Sequence, residues 1–313
     1  MWRRLAHDPR MPDTSAWYVV VNPASGRGRA ARQWPRLAGA LARAGVSFEP
    51  VVTREAGDAA GLVAGAVRAG FRRVLAVGGD GVLHEALNGL MSQQDVPPGE
   101  VCLAAAPLGS GNDWARARGI PSDPDRAAAI VATGRTVRQD AGRIDFPDVG
   151  STCHFINVAG AGLDAYVLER LPRGVPRRLA YLVGLLRSLA RFTPPRFRLE
   201  ADGVPCEATL LLALVGLGPY CGGGMRLTPH ARLDDGRLEL LTVEPLRLPA
   251  ELLRLRRLFD GRLAEERFAH HASVTRLQVD AQPAVAVQAD GQLVGRTPCR
   301  VSLLPGALQV LTA

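Results

Sequence analysis

The sequence predicts an α/β plus β protein: an N-terminal α/β domain on a largely parallel sheet, then a C-terminal antiparallel, β-rich domain that reads as a β-sandwich. Three observations carry this. Between Trp17 and Ala105 short β-rich runs alternate with helical stretches, the signature of βαβ units. After about Asp140 extended runs follow one another, and two of them flank the Asp-Gly hairpin signals 202–203 and 290–291. The chain has 313 residues, 47% of them apolar, enough for two cores at roughly 150 residues per domain.

Taken in order, Trp17–Val21 reads as a strand and Arg29–Arg43 as a helix with Leu37 and Leu41 on one face. Ser47–Thr53 is a strand, Asp58–Ala69 a helix, Val74–Val77 a strand, His84–Met91 a helix and Val101–Ala105 a buried strand, followed by a short helix at Trp114–Arg118. The second half offers extended runs at Thr152–Val158, Arg196–Ala201, Cys206–Val215, Leu238–Val243, Val274–Val279, Ala284–Gln288 and Arg300–Leu304. Helical stretches interrupt it around Pro176–Phe192 and Pro249–Phe259. The expected division is a disordered tail at 1–15, an α/β domain at 16–139 and a β-rich domain at 140–313 whose last strands return to the first.

All 38 basic residues are Arg, with no Lys anywhere. That excludes a Walker A phosphate loop, the protein-kinase lysine and Schiff-base chemistry, each of which needs an amine. The net charge of +8 favours an anionic partner. Nucleic acid is disfavoured, because aromatics make up 5% and no stretch interleaves them with Arg as a base-stacking surface would. The five cysteines are widely spaced without a C-x-x-C, as reduced core thiols in a cytoplasmic protein would be. The N-terminal Arg pair has no apolar run behind it, so no secretory signal is expected, and the longest apolar run, 208–216, is too short for a transmembrane segment.

The chemistry-bearing features are glycine loops at the carboxyl ends of predicted strands, where α/β sheets hold ligands. Asn22, Pro23, Ala24, Ser25 and Gly26 follow the first strand and open a helix whose N-terminal N–H groups suit phosphate; taken alone they are also ordinary turn residues. Gly78, Gly79, Asp80 and Gly81 follow the Val74–Val77 strand. Glycines there let backbone approach a phosphate, while the Asp80 carboxylate is repelled by one unless it holds a metal, meets a hydroxyl or takes a proton; a helix N-cap is the other reading. Pro107–Asp113, containing Ser110, Asn112 and Asp113, leaves the next strand with three capable helix caps. Thr53, with Gly57 and Asp58, ends the Ser47–Thr53 run. The histidines lack metal-ligand spacing, and Gly222-Gly223-Gly224 reads as a plain flexible loop in preference to a mobile loop over the cleft.

Together these loops resemble the catalytic domain of the diacylglycerol kinases, sphingosine kinases and soluble bacterial lipid kinases. The resemblance continues through Leu83, Glu85, Asn88-Gly89, Asp140, Phe155-x-Asn157-x-x-Gly160-x-Gly162, Leu227-x-Pro229, Asp235-Gly236-x-Leu238 and Asp290-Gly291, and it covers Trp17 to Leu311. It implies an ATP-dependent kinase acting on a hydroxyl of a membrane lipid, diacylglycerol-like, with ATP and Mg²⁺ in an active-site cleft between the α/β domain and the β-sandwich domain. By position, Asn22–Gly26, Thr53, Gly78–Gly81 and Ser110 would bind ATP, and Asp80 would act at the transferred phosphate. Asn112, Asp113 and Asp140 would belong to the substrate network, and Asp235 with the carbonyls of Arg232 and Arg237 would hold the metal.

Two positions depart from the family. Val82 stands where many members have Thr. Gln292 stands where the bacterial lipid kinases have a Glu taken as the base, and an amide cannot take the proton, a loss of about 10² to 10⁴ in rate. Either Asp80 supplies the base or activity is low, so a weakly active nucleotide- and lipid-binding protein is one alternative. A kinase of a soluble substrate such as NAD is the other. Arg170–Arg198 contains eight Arg and no acidic residue among leucines, a basic amphipathic stretch that reads either as the face meeting an anionic membrane or as a core-facing helix with a solvated Arg side. The expected setting is the cytoplasm, peripheral to the inner membrane, as monomer or homodimer.

Overall fold

The computed structural model describes residues 15–170, 183–184, 187–189, 191–246 and 257–313. Most of the expected helical stretches at Pro176–Phe192 and Pro249–Phe259, and most of the Arg170–Arg198 stretch, lie outside the described residues; of the second, the end is helical at Arg257–Asp260.

The N-terminal half is an α/β layer structure. Strands β1 (Trp17–Val21), β2 (Phe48–Val52), β3 (Arg73–Gly78) and β4 (Cys102–Pro107) form a parallel sheet in the order β2-β1-β3-β4. Helices α1 (Ser25–Arg43), α2 (Asp58–Arg68) and α3 (Asp80–Ser92) are the crossovers. The strands read as apolar runs because both faces are covered; Val19, Val20 and Val21 are fully buried. In the first turn of α1, Gly26, Arg27 and Gly28 have φ of 61, 60 and 80°, so regular helix starts at Arg29, as the periodicity predicts. Then come α4 (Asp113–Ala117) and α5 (Pro124–Thr133). Asp123 caps α5 by accepting from the N–H groups of Asp125 and Arg126, with Pro124 at the first helical position.

The C-terminal half is the expected antiparallel sandwich. One sheet has the order β12-β11-β10-β7-β14-β15, built from β7 (Val158–Gly162), β10 (Leu212–Gly216), β11 (Leu238–Val243), β12 (Ala269–Val274), β14 (Ala286–Ala289) and β15 (Gln292–Arg296). Facing it are β5 (Arg135–Phe146), β6 (Ser151–Phe155), β8 (Arg196–Ala201), β9 (Val204–Thr209), β13 (Arg276–Gln282) and β16 (Cys299–Thr312). Ala159, Ala213, Val215, Leu277, Val279 and Val301 fill the space between the two layers. The second layer is continuous with the N-terminal sheet, since β16 pairs antiparallel with β13 and β5 and parallel with β4. The Asp202-Gly203 and Asp290-Gly291 turns have φ of 48 and 86° and of 49 and 79°, as a type I′ hairpin requires.

Three expected runs divide. Thr152–Val158 becomes β6 and β7, Cys206–Val215 becomes β9 and β10, and Val274–Val279 becomes the end of β12 and the start of β13; each time the two pieces lie in different sheets. In the last, the Asp202 carboxylate accepts the backbone N–H groups of Thr275 and Arg276 at the crossing. A side chain, rather than a glycine or proline, turns the chain there, so the apolar run reads as unbroken.

Candidate active site

The three glycine loops meet at the carboxyl edge of the parallel sheet. Asn22 N–H donates to the Val77 carbonyl (3.0 Å), and the Asn22 Oδ1 accepts from Ala24 N–H (3.0 Å), fixing the turn into α1. Gly109 N–H donates to the Gly78 carbonyl at 2.7 Å. A Cβ on Gly109 would lie 2.3 Å from Gly79 Cα, and one on Gly26 would lie 2.5 Å from the Leu108 carbonyl oxygen. The loops therefore touch backbone to backbone, with no room for side chains. Gly109→Ala is expected to push the two strand-end loops apart, costing about 1–3 kcal/mol as overpacking does. Thermal melting together with a nucleotide titration checks this; unchanged melting and affinity would contradict it.

Asp80, in the first turn of α3, reaches across to the third loop. Its Oδ1 accepts Asp113 N–H at 2.8 Å and Trp114 N–H at 3.4 Å, so the carboxylate caps α4. A Cβ on Gly111 would lie 2.6 Å from Asp80 Oδ2. Asn112 staples its own loop, donating to the Pro107 and Gly109 carbonyls (3.1 and 3.0 Å) while its Oδ1 accepts Gly109 N–H (3.2 Å). Ser110 is exposed at the loop tip. Buried Asp113 pairs with Arg116, and its Oδ2 accepts Gly223 N–H at 2.7 Å. The 222–224 segment is therefore tied to the cleft wall, which corrects its reading as a plain flexible loop.

The opposite wall belongs to the second half. Asp290, in the turn between β14 and β15, is buried and accepts four hydrogen bonds: from the N–H groups of Ile156 (3.0 Å), Asn157 (3.0 Å) and Val158 (3.1 Å), and at 3.0 Å from His84 Nδ1 on α3. These bonds occupy the backbone between β6 and β7, which is why Thr152–Val158 is not one strand. Burial alone would lower the His84 pKa, but the hydrogen bonds to Asp290 and Cys153 and the Asp290 charge overcome it and raise the pKa to about 10. His84 and Asp290 are thus a buried ion pair joining the two halves. Gln292, two residues beyond Asp290, stands over the Gly78–Gly81 loop: its Nε2 would lie 2.9 Å from a Cβ on Gly81. Between the walls lies a cavity of about 50 Å³ lined by Asp80, Asp113, Asn157, Asp164, Gln288 and Asp290, with Leu168, Leu214 and Leu227 at its apolar side.

Comparisons with known proteins agree with this geometry. Residues 16–144 match the model of the diacylglycerol kinase catalytic domain. Residues 157–312 match that of the YegS C-terminal NAD kinase β-sandwich-like domain. A protein of Mycobacterium tuberculosis named "Diacylglycerol kinase" is 35% identical over 94% of this chain and 94% of its own length. The chain belongs to the diacylglycerol kinase family. Another relative, of Pseudomonas aeruginosa and named "Probable lipid kinase YegS-like", is 35% identical over 83% of this chain and 82% of its own. A crystal structure of a diacylglycerol kinase from Bacillus anthracis superposes with a TM-score of 0.72 at 22% identity, covering 96% of this chain and 97% of that one, and shows the shared fold.

Not every residue suggested by resemblance to the diacylglycerol kinase family lines this cavity. Thr53 is buried at the sheet edge, its N–H donating to the Val21 carbonyl (2.9 Å). Asp140 is buried in β5, where its carboxylate accepts Gly236 N–H (2.8 Å) and Gly306 N–H (2.7 Å); it joins the 235–236 loop to the irregular middle of β16 and does not line the cavity. Asp235 accepts Arg237 N–H through Oδ1 (3.0 Å) and faces a separate recess with His230, Glu239 and His271. Among the described residues no cluster of three or more His, Cys, Asp or Glu side chains could hold a metal ion. A cation at Asp235 would rest on one carboxylate, main-chain carbonyls and water, an oxygen-only donor set that suits Mg²⁺.

Residue-by-residue reading missed the His84–Asp290 pair and Asp164. Gln139 was missed too: its Oε1 accepts from Trp114 Nε1 and from the Arg118 guanidinium, beneath α4. A buried His or Gln is visible in a sequence only as a polar residue inside an apolar pattern, and α3 carries such a mark at His84 between Leu83 and Ala86.

Proposed function

We propose that the protein is an ATP- and Mg²⁺-dependent lipid kinase that transfers the γ-phosphoryl group to a hydroxyl of a membrane lipid, with residues 16–139 holding the nucleotide and 140–313 the acceptor. The observation that carries this is the mutual backbone contact of the loops at Gly26, Gly78–Gly79 and Gly109, with Asp80 at their centre facing the second half. Phosphoryl transfer depends mainly on positioning and charge stabilisation. In a chain with no Lys, backbone N–H groups of Asn22–Gly26, Gly78–Gly81 and Ser110 would take the phosphate oxygens. Magnesium at the phosphates would supply counter-charge, and Asp235 with the carbonyls of Arg232 and Arg237 would hold a separate ion in the recess of the second half. Asp80, anchored through Oδ1 by two N–H groups, would receive the acceptor hydroxyl's proton, with Gln292 beside it over the same loop.

No described helix is long and apolar enough to cross a membrane; in this reading the enzyme works peripherally at the cytoplasmic face and meets anionic lipid through Arg170–Arg198. Three Arg at the ends of that stretch have partners: Arg170 pairs with Glu169 and lies over the Tyr166 ring, and Arg196 and Arg198 pair with Glu207.

The test is ATP turnover against a lipid panel in mixed micelles, with NAD as a separate arm because the C-terminal match is to an NAD-kinase-like sandwich. Turnover that needs lipid is expected; turnover equal without lipid, or with NAD alone, would overturn the reading. Gln292→Glu places a carboxylate over Gly81 and is expected to raise kcat at least tenfold, less than the about 10² to 10⁴ typical of general-base catalysis because Asp80 already offers a base. An unchanged kcat would leave proton transfer to Asp80 alone.

A further inference from the structure

The cavity between the halves is too small for the reaction it adjoins. Its volume is about 50 Å³, against the roughly 300–1,000 Å³ of a site that takes a small organic molecule. Asp80 lines it, so an acceptor hydroxyl that reaches Asp80 has to enter a space with room for little more than water. Part of the wall must move.

The halves do not part to widen it. Their walls are joined by the buried His84–Asp290 pair at 3.0 Å, and β16 runs from the sandwich into the parallel sheet. The segment built to move is the turn at 221–225, from which Cys221 and Gly222 face the cavity. Cys221 and Met225 exchange backbone hydrogen bonds, both at 2.9 Å, and Gly222, Gly223 and Gly224 follow one another at φ of 58, 89 and 111°. The tip thus has no side chain to pack, and glycine passes between left- and right-handed backbone without steric cost. The stem, by contrast, is fixed. Asn157 Nδ2 donates to the Tyr220 carbonyl (2.7 Å), the Asn157 carbonyl accepts Leu217 N–H (2.8 Å), and Met225 and Leu227 are buried with Leu211 and Leu214.

The tip is fastened across the cleft. Gly223 N–H donates to Asp113 Oδ2 at 2.7 Å, and the N–H of the same Asp113 holds Asp80 Oδ1 at 2.8 Å. The other Asp113 oxygen pairs with Arg116, whose guanidinium lies 5.6 Å from the centre of the Tyr220 ring in the stem. The fastening therefore sits beside the carboxylate at the reaction centre.

We infer that the 221–225 turn is a gate that selects a lipid hydroxyl over water as the acceptor: it swings out to admit the lipid head and, latched through Gly223 to Asp113, closes behind it and keeps bulk water from Asp80. The inference rests on the lipid-kinase reading and adds a specificity element to it. With either acceptor the bond from the γ-phosphorus to ADP breaks and its electron pair leaves with ADP. A new bond forms from phosphorus to the acceptor oxygen, and the acceptor's proton passes to Asp80. Water can take the lipid's place in this step wherever it has access, so exclusion decides the product.

The experiment measures, with ATP, Mg²⁺ and a diacylglycerol in mixed micelles, the inorganic phosphate released per lipid phosphorylated, for the parent and for Gly223→Pro. Proline has no N–H and a φ near −65°, so both the latch and the turn are lost. The ratio is expected to rise about tenfold or more in the variant; a merely structural defect lowers both rates together and leaves it unchanged. Gly223→Ala, which keeps the N–H but strains the turn, is expected to shift the ratio the same way by less. Movement of the gate is read without turnover at Cys221, a half-buried residue whose thiol pKa is pushed well up by burial and by the Asp113 and Asp164 charges. Its alkylation by N-ethylmaleimide, followed by mass spectrometry, is expected to be about tenfold or more faster in Gly223→Pro, as loss of a hydrogen bond to a charged group predicts. The buried Cys102 and Cys299 report unfolding and are expected to stay unlabelled; if they react in Gly223→Pro, Gly223→Ala decides. An unchanged Cys221 rate overturns the gate, and faster labelling with an unchanged phosphate ratio overturns its role against water. Absence of turnover with every lipid overturns the lipid-kinase reading, and the labelling then still decides whether the turn opens.

Discussion

Asp80→Asn is expected to lower lipid-dependent ATP turnover by about 10³, with KM for ATP changed far less than kcat and the melting temperature close to that of the parent. The expectation follows from what the substitution keeps and removes. The amide oxygen still caps α4 by accepting from Asp113 and Trp114 N–H, so the contact between the second and third glycine loops survives. The negative charge and the ability to take a proton are lost, and a positioned general base typically contributes about 10² to 10⁴. Asp80→Ala would also uncap α4, so its loss of activity would mix two causes. Steady-state kinetics with a lipid acceptor settle the matter; an Asp80→Asn protein as active as the parent would remove Asp80 from the transfer step.

The second large effect is on stability. His84→Ala is expected to cost about 3–5 kcal/mol, because it leaves the Asp290 carboxylate buried without its cation. Three main-chain N–H groups still hold Asp290, which places the cost toward the lower end, a fall of very roughly 6–12 °C in melting temperature. The pH dependence has a definite sign. The folded-state pKa of His84 is about 10, above its ordinary value of 6.5, so native protein binds the proton more tightly than unfolded chain. The pair's contribution is therefore complete below about pH 6.5 and lost as the pH rises toward 10. Burial also raises the pKa values of Cys102 and Cys299, to about 11 and about 12, and these thiols too weaken the fold at alkaline pH, equally in parent and variant. The difference between the two melting curves across pH 6.5–10 isolates His84; parallel curves would mean that the histidine is neutral in the fold.

Much of this molecule is legible in its residues. The bounds of β1 and β11 are those expected from Trp17–Val21 and Leu238–Val243, because a short apolar run between turn residues has one reading. The glycine loops were legible for a similar reason: each stands where a strand ends and a helix begins. Strand β5 was not found, since its central residues Gln139 and Asp140 are buried polar groups whose partners, Trp114, Arg118, Gly236 and Gly306, are distant in sequence. Nothing local marks such a segment as interior. His84 and Asp290 lie 206 residues apart, and neither by itself implies the other. The Asn157 and Gly160 motif was visible, but its purpose shows only in three dimensions, where a missing Cβ becomes the space for Asp164.

The path of β16 bears on how the protein is made. Its residues 309 and 310 complete the parallel sheet beside Cys102 and Leu103 of β4, while its earlier residues belong to the sandwich. During synthesis the N-terminal half therefore leaves the ribosome with one side of β4 uncovered and waits for about 200 further residues, which at 5–20 residues per second takes roughly 10–40 s. Throughout that interval the exposed strand is open to pairing with other chains. The N-terminal half is thus no independent module to be cut out and produced alone, since the strand that seals it is made about 200 residues later.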